Sequence, residues 1–311
     1  MEKPPRRRLL TAFLALIAAL GVLELALRAL EHPPPHPEAT LDGADAGVAR
    51  FEIDPVIGFR PVLDGPHYGP DGALLNSYPR ERRSDVERVL FIGDSATARG
   101  RIVEAIAARV GDGVAEWWNG GVESFDLLQT VAYFRRYTIH VDPTHVVLTF
   151  HVNDYQMTPV VFTAADGRRV RYEPPPPRAR LWPFAYARLR TVRHGIDALL
   201  GRRDARVHAE RTAAALLDLA RLCSQNDIRL TVLVLPALAP RVEWTAHQER
   251  WHNQALAACA AAGVRHIDLN LPLSAALSAG IDVQEAPADW AHPSQAAADF
   301  IAAHLVAAGV F

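Results

Sequence analysis

A serine, a histidine and an aspartate in this chain have the types and spacing that nucleophilic catalysis requires. Ser95 ends the triplet Gly93-Asp94-Ser95, which follows the apolar run 89–92 and precedes a helical pattern. A serine at the carboxyl end of a strand, beside the N–H groups of a helix N-terminus, can act as a nucleophile if a base lies within reach. The alternative interpretation is that Asp94 or Ser95 only caps the helix.

The candidate base is His292, in the segment Asp289-Trp290-Ala291-His292-Pro293. At this spacing in a tight turn, the Asp289 carboxylate can accept a hydrogen bond from one imidazole nitrogen, and the other nitrogen can face Ser95. Pro293 is suited to a first helical position, which leaves His292 just outside the start of the last helix. Alternatively, Asp289 and His292 only cap that helix.

Three groups are candidates for stabilising an oxyanion. They are the backbone N–H of Ser95, the backbone N–H of Gly121 and the side-chain amide of Asn153. Such donors act on the negative charge that develops on a carbonyl oxygen during attack. The alternative is that the segments containing Gly121 and Asn153 only form a turn and end a strand.

Alternating strand and helix patterns predict the elements that would position these residues. The predicted strands are 89–92, 114–118, 145–150, 230–235 and 264–269, and the later helices are 126–139, 206–225, 244–262 and 294–308. This order predicts an α/β fold with a largely parallel sheet and helices on both faces. The polar residues that follow the strands should meet at the carboxyl edge of the sheet.

The first 30 residues are interpreted as an N-terminal transmembrane anchor. Lys3 and three arginines, 6–8, precede the uncharged stretch 9–23, and the segment to Leu30 is long enough to span a bilayer. The positive-inside rule then places the rest of the chain outside the cytoplasm, in the periplasm of a bacterium. The alternative is a signal peptide that is cleaved, leaving a secreted protein.

The remaining chain divides by composition into a proline-rich linker (31–50), a turn-rich lead-in that could contain a hairpin (51–88) and a main domain (89–311). Residues 155–205 interrupt the alternation and are predicted to be an insertion, either a lid over the site or a solvated excursion.

Composition excludes several classes of protein. The 311 residues carry a net charge of −2, which argues against a nucleic-acid-binding protein. Cys223 and Cys259 lie in apolar helical patterns and are interpreted as core residues. The 13 histidines show no ligand spacing, so no metal or organic cofactor is expected.

Taken in order, these clusters resemble the SGNH hydrolases, also called the GDSL esterase/lipase superfamily. The resemblance covers residues 89–305 and rests on Gly93-Asp94-Ser95, Asn119 with Gly121, Asn153-Asp154 and Asp289-x-x-His292-Pro293. It implies a flavodoxin-like, three-layer α/β/α fold. It also implies Ser95 as nucleophile, His292 as base, Asp289 as its orienter, and Ser95, Gly121 and Asn153 as oxyanion donors. The anchor and lead-in look like those of bacterial members linked to cell-envelope polysaccharides.

Two positions depart from the family pattern. His151 stands where the third block of the family has glycine, and it could crowd the oxyanion pocket, alter substrate choice or add a polar contact. Arg99 precedes Gly100 where the family often has a glycine soon after the serine, and it could bind an anionic substrate or lie in solvent. We expect Asp154 to brace its loop without transferring protons.

Together these features predict a membrane-anchored serine esterase that removes acyl groups, acetyl being the first candidate, from an envelope glycan or a small ester. The same three residues could instead pass the acyl group to a sugar hydroxyl, as an O-acyltransferase of envelope polysaccharide. A third hypothesis is a non-catalytic module that binds or assembles glycans.

Overall fold

The computed structural model describes residues 6–30, 39–40, 51–54, 56–155, 160–163, 169–172 and 189–311. The strands are β1 (Ala39–Thr40), β2 (Phe51–Asp54), β3 (Gly58–Pro61), β4 (Glu87–Ile92), β5 (Ala115–Asn119), β6 (His145–His151), β7 (Val160–Thr163), β8 (Arg169–Tyr172), β9 (Arg229–Leu235) and β10 (Arg265–Asp268). The helices are α1 (Arg6–Leu30), α2 (Ser95–Ala98), α3 (Arg101–Val110), α4 (Leu127–Arg136), α5 (Arg190–Gln225), α6 (Ala246–Ala262), α7 (Asn270–Ser278) and α8 (Gln295–Ala307).

The centre of the molecule is a five-stranded parallel sheet with the order β10-β9-β6-β4-β5. If these five strands are numbered 1 to 5 in chain order and the sheet is read from β5, the order is 2-1-3-4-5. This is the flavodoxin-like strand order. Its switch point lies between β4 and β6, where Ile92 pairs with Leu148. The predicted α/β fold with a parallel sheet is confirmed, and the sheet's carboxyl edge is the place where a site is expected.

Helices cover both faces of the sheet because successive side chains of each strand point to opposite sides. In β4, Val89 and Phe91 pack into one hydrophobic core with residues of α3, α7 and α8. Leu90 and Ile92 pack into a second core with residues of α4, α5 and α6. The result is a three-layer α/β/α arrangement, with strands that are buried on both faces.

The lead-in packs on the main domain through a hairpin. Strands β2 and β3 pair antiparallel, with Phe51 opposite Pro61. Phe59 is fully buried and contacts Phe125 edge-to-face at 5.1 Å between ring centroids. The hairpin is therefore fixed to the loop that follows β5, as the sequence pattern of residues 51–88 allowed.

The predicted insertion is partly regular structure. The helix predicted to begin near residue 206 begins at Arg190. Residues 190–205, which were assigned to the insertion, therefore form the first part of helix α5. Strands β7 and β8 form a small antiparallel sheet with β1, which lies in the predicted linker. The rest of the linker (31–38 and 41–50) and residues 156–159, 164–168 and 173–188 lie outside the described residues.

Helix α1 is long and apolar enough to cross a membrane. Its segment Leu10–Ala29 has a mean hydropathy of 2.4, and none of it is buried in the protein. Near its end, Glu24 accepts hydrogen bonds from the backbone N–H of Thr191 at 2.9 Å and from its hydroxyl at 3.0 Å. This contact joins α1 to the start of α5.

Candidate active site

Ser95 is the first residue of α2, directly after the turn that ends β4. The Asp94 side chain caps the helix by accepting a hydrogen bond from the Ala96 N–H at 2.9 Å, so the capping role falls to Asp94. Gly93 has a φ of 152°, and a Cβ there would lie 2.4 Å from the Thr97 hydroxyl oxygen. No side chain fits at Gly93, and the turn presents the Ser95 hydroxyl at the carboxyl edge of the sheet.

The structure brings His292 and Asp289 into line with Ser95. The Nε2 atom of His292 lies 2.9 Å from the Ser95 Oγ. The Nδ1 atom lies 2.9 Å from both carboxylate oxygens of Asp289. An ionised carboxylate only accepts hydrogen bonds, so Nδ1 carries the proton and Nε2 is left to accept the Ser95 O–H. This geometry allows His292 to remove the serine proton.

Asp289 is held in its charged form. Partial burial alone would raise its pKa, but hydrogen bonds from the His292 ring and from the backbone N–H groups of Ala291 and His292 outweigh burial and lower the pKa of Asp289. The two backbone donors lie 3.2 and 3.1 Å from Oδ1. A fixed carboxylate of this kind orients the imidazole and favours its protonated form.

The last helix begins after Pro293, close to the predicted range 294–308, and Pro293 itself is not helical. Helix α8 begins at Gln295, and Ser294 caps it by accepting from the Ala297 N–H at 3.1 Å. Pro293 instead forms an isolated antiparallel bridge with Gln284. A serine side chain can accept the free helical N–H and a proline side chain cannot, so Ser294 is the capping residue. His292 therefore lies on a short paired segment and not at the helix end.

The candidate oxyanion donors differ in what surrounds them. The Ser95 N–H has no hydrogen-bond acceptor among the residues that the structure describes. The Gly121 N–H donates to the Asn119 side chain at 2.9 Å, so it is engaged within its own turn. Gly121 instead allows close approach, because a Cβ there would lie 2.5 Å from the Ala98 nitrogen. The side chain of Asn153 lies outside the described residues.

His151 packs inside the protein. Its side chain is fully buried, and its ring stacks on Trp290 with 5.4 Å between ring centroids and an interplanar angle of 25°. Its backbone N–H donates to Asp154 at 2.7 Å, which is the bracing contact expected of Asp154. The structure thus gives His151 a packing contact with the Asp289–His292 loop, and a role in substrate binding stays a prediction.

Arg99 faces a carboxylate of the protein itself. Its guanidinium pairs with Glu285, and Arg101 pairs with the same carboxylate at 2.7 Å. Neither the anionic-substrate nor the solvated interpretation of Arg99 included this partner. Glu285 was not singled out from the sequence, because it belongs to no motif and its relation to Arg99 appears only on folding.

Glu285, Asp289 and His292 each offer a ligand atom, and these atoms lie within 4.8 Å of one another. Such spacing would suit a metal ion, but the donor set is already engaged. Two guanidinium groups pair with Glu285, and Nδ1 of His292 is bonded to Asp289. The arrangement fits acid–base chemistry on Ser95 better than cation binding.

Comparisons with known proteins give similar folds at low sequence identity. No protein-family model and no curated protein matches the chain. An α/β hydrolase enzyme from the metagenome of Lake Arreo is 18% identical with a TM-score of 0.48, covering 72% of this chain and 95% of that one. A GDSL-like lipase from Bacteroides thetaiotaomicron is 16% identical with a TM-score of 0.44, covering 74% and 91%. An acetylxylan esterase from Geobacillus stearothermophilus is 14% identical with a TM-score of 0.48, covering 72% and 94%.

Proposed function

We propose that this protein is a membrane-anchored serine esterase that removes acyl groups, acetyl being the first candidate, from an envelope glycan or a small ester. The observation that carries the proposal is the continuous hydrogen-bonded row from Asp289 through His292 to Ser95, with 2.9 Å at each step. A serine within hydrogen-bond reach of an oriented base is the arrangement of an activated nucleophile. A module that only binds glycans has no need of it.

In the first step, the Ser95 Oγ attacks the carbonyl carbon of the ester while Nε2 of His292 takes the hydroxyl proton. The hydrogen bond from Nδ1–H to Asp289 stabilises the imidazolium that forms. The Ser95 N–H is the donor offered to the oxyanion, with the Asn153 amide as a second donor on the family pattern. When the tetrahedral intermediate collapses, the proton passes to the alcohol oxygen, the alcohol leaves, and an acyl-serine remains.

In the second step, a water molecule attacks the acyl carbon while His292 takes one of its protons. The bond to Oγ breaks, the proton returns to Ser95, and the carboxylic acid leaves. If a sugar hydroxyl attacks in place of water, the same residues transfer the acyl group to the sugar. Esterase and O-acyltransferase therefore share this site and differ in the second nucleophile.

Helix α1 supports a location in the cell envelope. Its apolar segment would span the inner membrane of a bacterium, and the arginines at 6–8 would stay in the cytoplasm. The sheet and Ser95 would then lie in the periplasm, where acylated polysaccharides of the envelope are accessible. Cleavage of α1 as a signal peptide would release the same site as a secreted enzyme.

The test is turnover of 4-nitrophenyl acetate by the full chain in detergent, comparing wild type with Ser95→Ala. We expect kcat/KM to fall at least about 10³-fold, since a serine esterase without its nucleophile keeps only residual catalysis. Ser278→Ala is the matched control, because that hydroxyl is exposed and bonds only within α7 among its described contacts. Equal rates for Ser95→Ala and wild type would contradict the proposal and favour a binding module.

A further inference from the structure

A carboxylate links the segment that carries His292 to the segment that follows Ser95. Arg99 and Arg101 lie four and six residues after Ser95, at the end of α2 and the start of α3. Both pair with Glu285, seven residues before His292, and the Arg101 contact measures 2.7 Å. Arg101 also donates to the carbonyl of Pro293 at 3.1 Å. Two guanidinium groups thus bridge the nucleophile's helices and the base's loop.

Glu285 is joined to His292 by its main chain as well. Its backbone N–H donates to the carbonyl of His292 at 2.9 Å, within the antiparallel pairing that includes Gln284 and Pro293. A carboxylate oxygen of Glu285 lies within 4.8 Å of a His292 ring nitrogen and of an Asp289 oxygen. The residue therefore touches the main chain of the base and faces the pair that does the proton transfer.

We propose that Glu285, held by Arg99 and Arg101, is a positioning residue that sets the distance and orientation of His292 relative to Ser95. This inference rests on the proposed esterase function. Ser95 and His292 are 197 residues apart in sequence, and Asp289 belongs to the same loop as His292 and moves with it. The ion pairs with Arg99 and Arg101 hold the segment of Glu285 and His292 against the helices that follow Ser95.

Charge gives Glu285 a second effect on the same pair. A guanidinium charge near an imidazole that must become positive would disfavour proton transfer. Glu285 pairs with both guanidinium groups and so offsets one of their two charges. Loss of the carboxylate should therefore act on turnover more than on substrate binding.

A role in stability alone makes a different prediction. The three side chains of the cluster are 24% to 36% exposed, and partly exposed ion pairs contribute little to the free energy of unfolding. A purely structural pair could be removed with no loss of turnover in the folded protein. Small displacements of a base, in contrast, cost rate, about 100-fold for roughly 1 Å.

The experiment measures kcat, KM and thermal unfolding for the full chain carrying Glu285→Gln, Arg101→Met or both changes. We expect each single variant to lose about tenfold in kcat, or about 1.4 kcal/mol of transition-state stabilisation, with KM unchanged within about twofold and unfolding little affected. The double variant should be no worse than Glu285→Gln, because residues that act as one unit are not additive. Glu249→Gln, which removes an equivalent ion pair with Arg241 on the surface, is the control and should match wild type.

A Glu285→Gln protein with wild-type kcat, or single losses that multiply in the double variant, would overturn the inference. If Glu285→Gln does not fold, Arg101→Met carries the same test, since it breaks both the ion pair and the Pro293 contact. Failure of the esterase proposal is distinguishable, because the wild-type protein would then show no turnover that depends on Ser95. That result would also remove this inference.

Discussion

The protein shifts the pKa values of two carboxyl groups, those of Asp289 and Asp154, in opposite directions. Hydrogen bonds hold the pKa of Asp289 below its usual value, so Asp289 stays charged and orients His292. Complete burial, together with the charge of Asp94, raises the pKa of Asp154 well above its usual value. Carboxyl groups with opposite pKa shifts have different roles in a site. This fits the role proposed for Asp289 in the proton transfer, whereas Asp154 accepts the His151 N–H and supports the loop after β6.

This difference predicts how stability responds to Asp154→Asn. Because folding raises the pKa of Asp154, the native state favours its protonated form; that contribution is full below about pH 3.9, the unfolded value, and is lost as pH rises through the folded pKa. Asparagine is neutral at every pH and can still accept the His151 N–H. We expect the variant to unfold at a higher temperature than wild type above neutral pH, with the difference shrinking towards pH 4.

Thermal unfolding between pH 4 and pH 8 measures this effect. Asp218→Asn is the matched control, because Asp218 is exposed on α5 and pairs weakly with Arg221. A variant that is less stable than wild type by the same amount at every pH would contradict the account of Asp154.

At the scale of the residue, the spacing of Asp289 and His292 predicted their hydrogen bond, because a contact across three residues depends only on local structure. Glu285 could not be predicted, since its partners Arg99 and Arg101 are more than 180 residues away in sequence. The Gly121 N–H was predicted to point towards an oxyanion, but a short-range bond to Asn119 takes it. Local geometry can be inferred from spacing, and long-range ion pairs depend on the fold.

At the scale of the element, β4 contains an unusual residue for a central strand. Arg88 is fully buried and its Nε donates to Glu116, also fully buried, at 2.6 Å. Its two terminal nitrogens donate to the backbone carbonyls of Pro79, Arg80 and Val141 at 2.6 to 2.9 Å. The residue ties the amino end of β4 to β5 and to two loops, and so fixes the strand that ends at Ser95.

Arg88→Met should therefore destabilise the protein strongly. The change leaves the buried Glu116 with only the exposed Arg83 as an ion-pair partner and leaves three carbonyls without this donor. Breaking a buried pair costs about 3–5 kcal/mol of unfolding free energy. Chemical denaturation monitored by circular dichroism measures the loss. Arg82→Met, which breaks an exposed pair with Asp142, should cost less than about 1 kcal/mol. Similar costs for the two variants would contradict the buried role of Arg88.

The strands of the sheet were predicted to within two residues at each end, because runs of buried apolar residues are a strong local signal. Arg88 was taken as the residue before a strand, and it is inside β4 because its charge is fully paired. Helix α5 begins 16 residues before its predicted start, where arginines and Gly201 hide the helical pattern. Helix α7 was missed, since Pro272 looks like a break although proline is tolerated in a first helical turn.

At the scale of the whole molecule, the fold class followed from the order of elements, and the place of the site followed from the fold. Ser95 follows β4 and His151 ends β6, the two strands at the switch point of the sheet. The small sheet of β1, β7 and β8 could not be predicted, because its strands are short and come from distant parts of the chain. Short pairings of this kind carry little local signal.

The apolar helix α1 leads us to predict that the chain is anchored in a membrane. Expressed in a bacterium, the full chain should remain in the membrane pellet after an alkaline carbonate wash, because a largely apolar helix of 20 residues spans a bilayer. Protease added to spheroplasts should remove the main domain, while intact cells protect it. A chain that lacks α1 should stay in the cytoplasm and be protected in spheroplasts, which makes it the control. Protection of the full chain in spheroplasts would contradict the orientation.

The most direct test of the central claim is covalent labelling of the full chain in detergent with a fluorophosphonate probe. The probe reacts with a serine that a neighbouring base has activated. We predict one adduct, located on Ser95 by mass spectrometry, that is absent in Ser95→Ala and retained in Ser278→Ala. A folded wild-type protein that takes no label, or takes it on another serine, would contradict the assignment of Ser95 as the nucleophile.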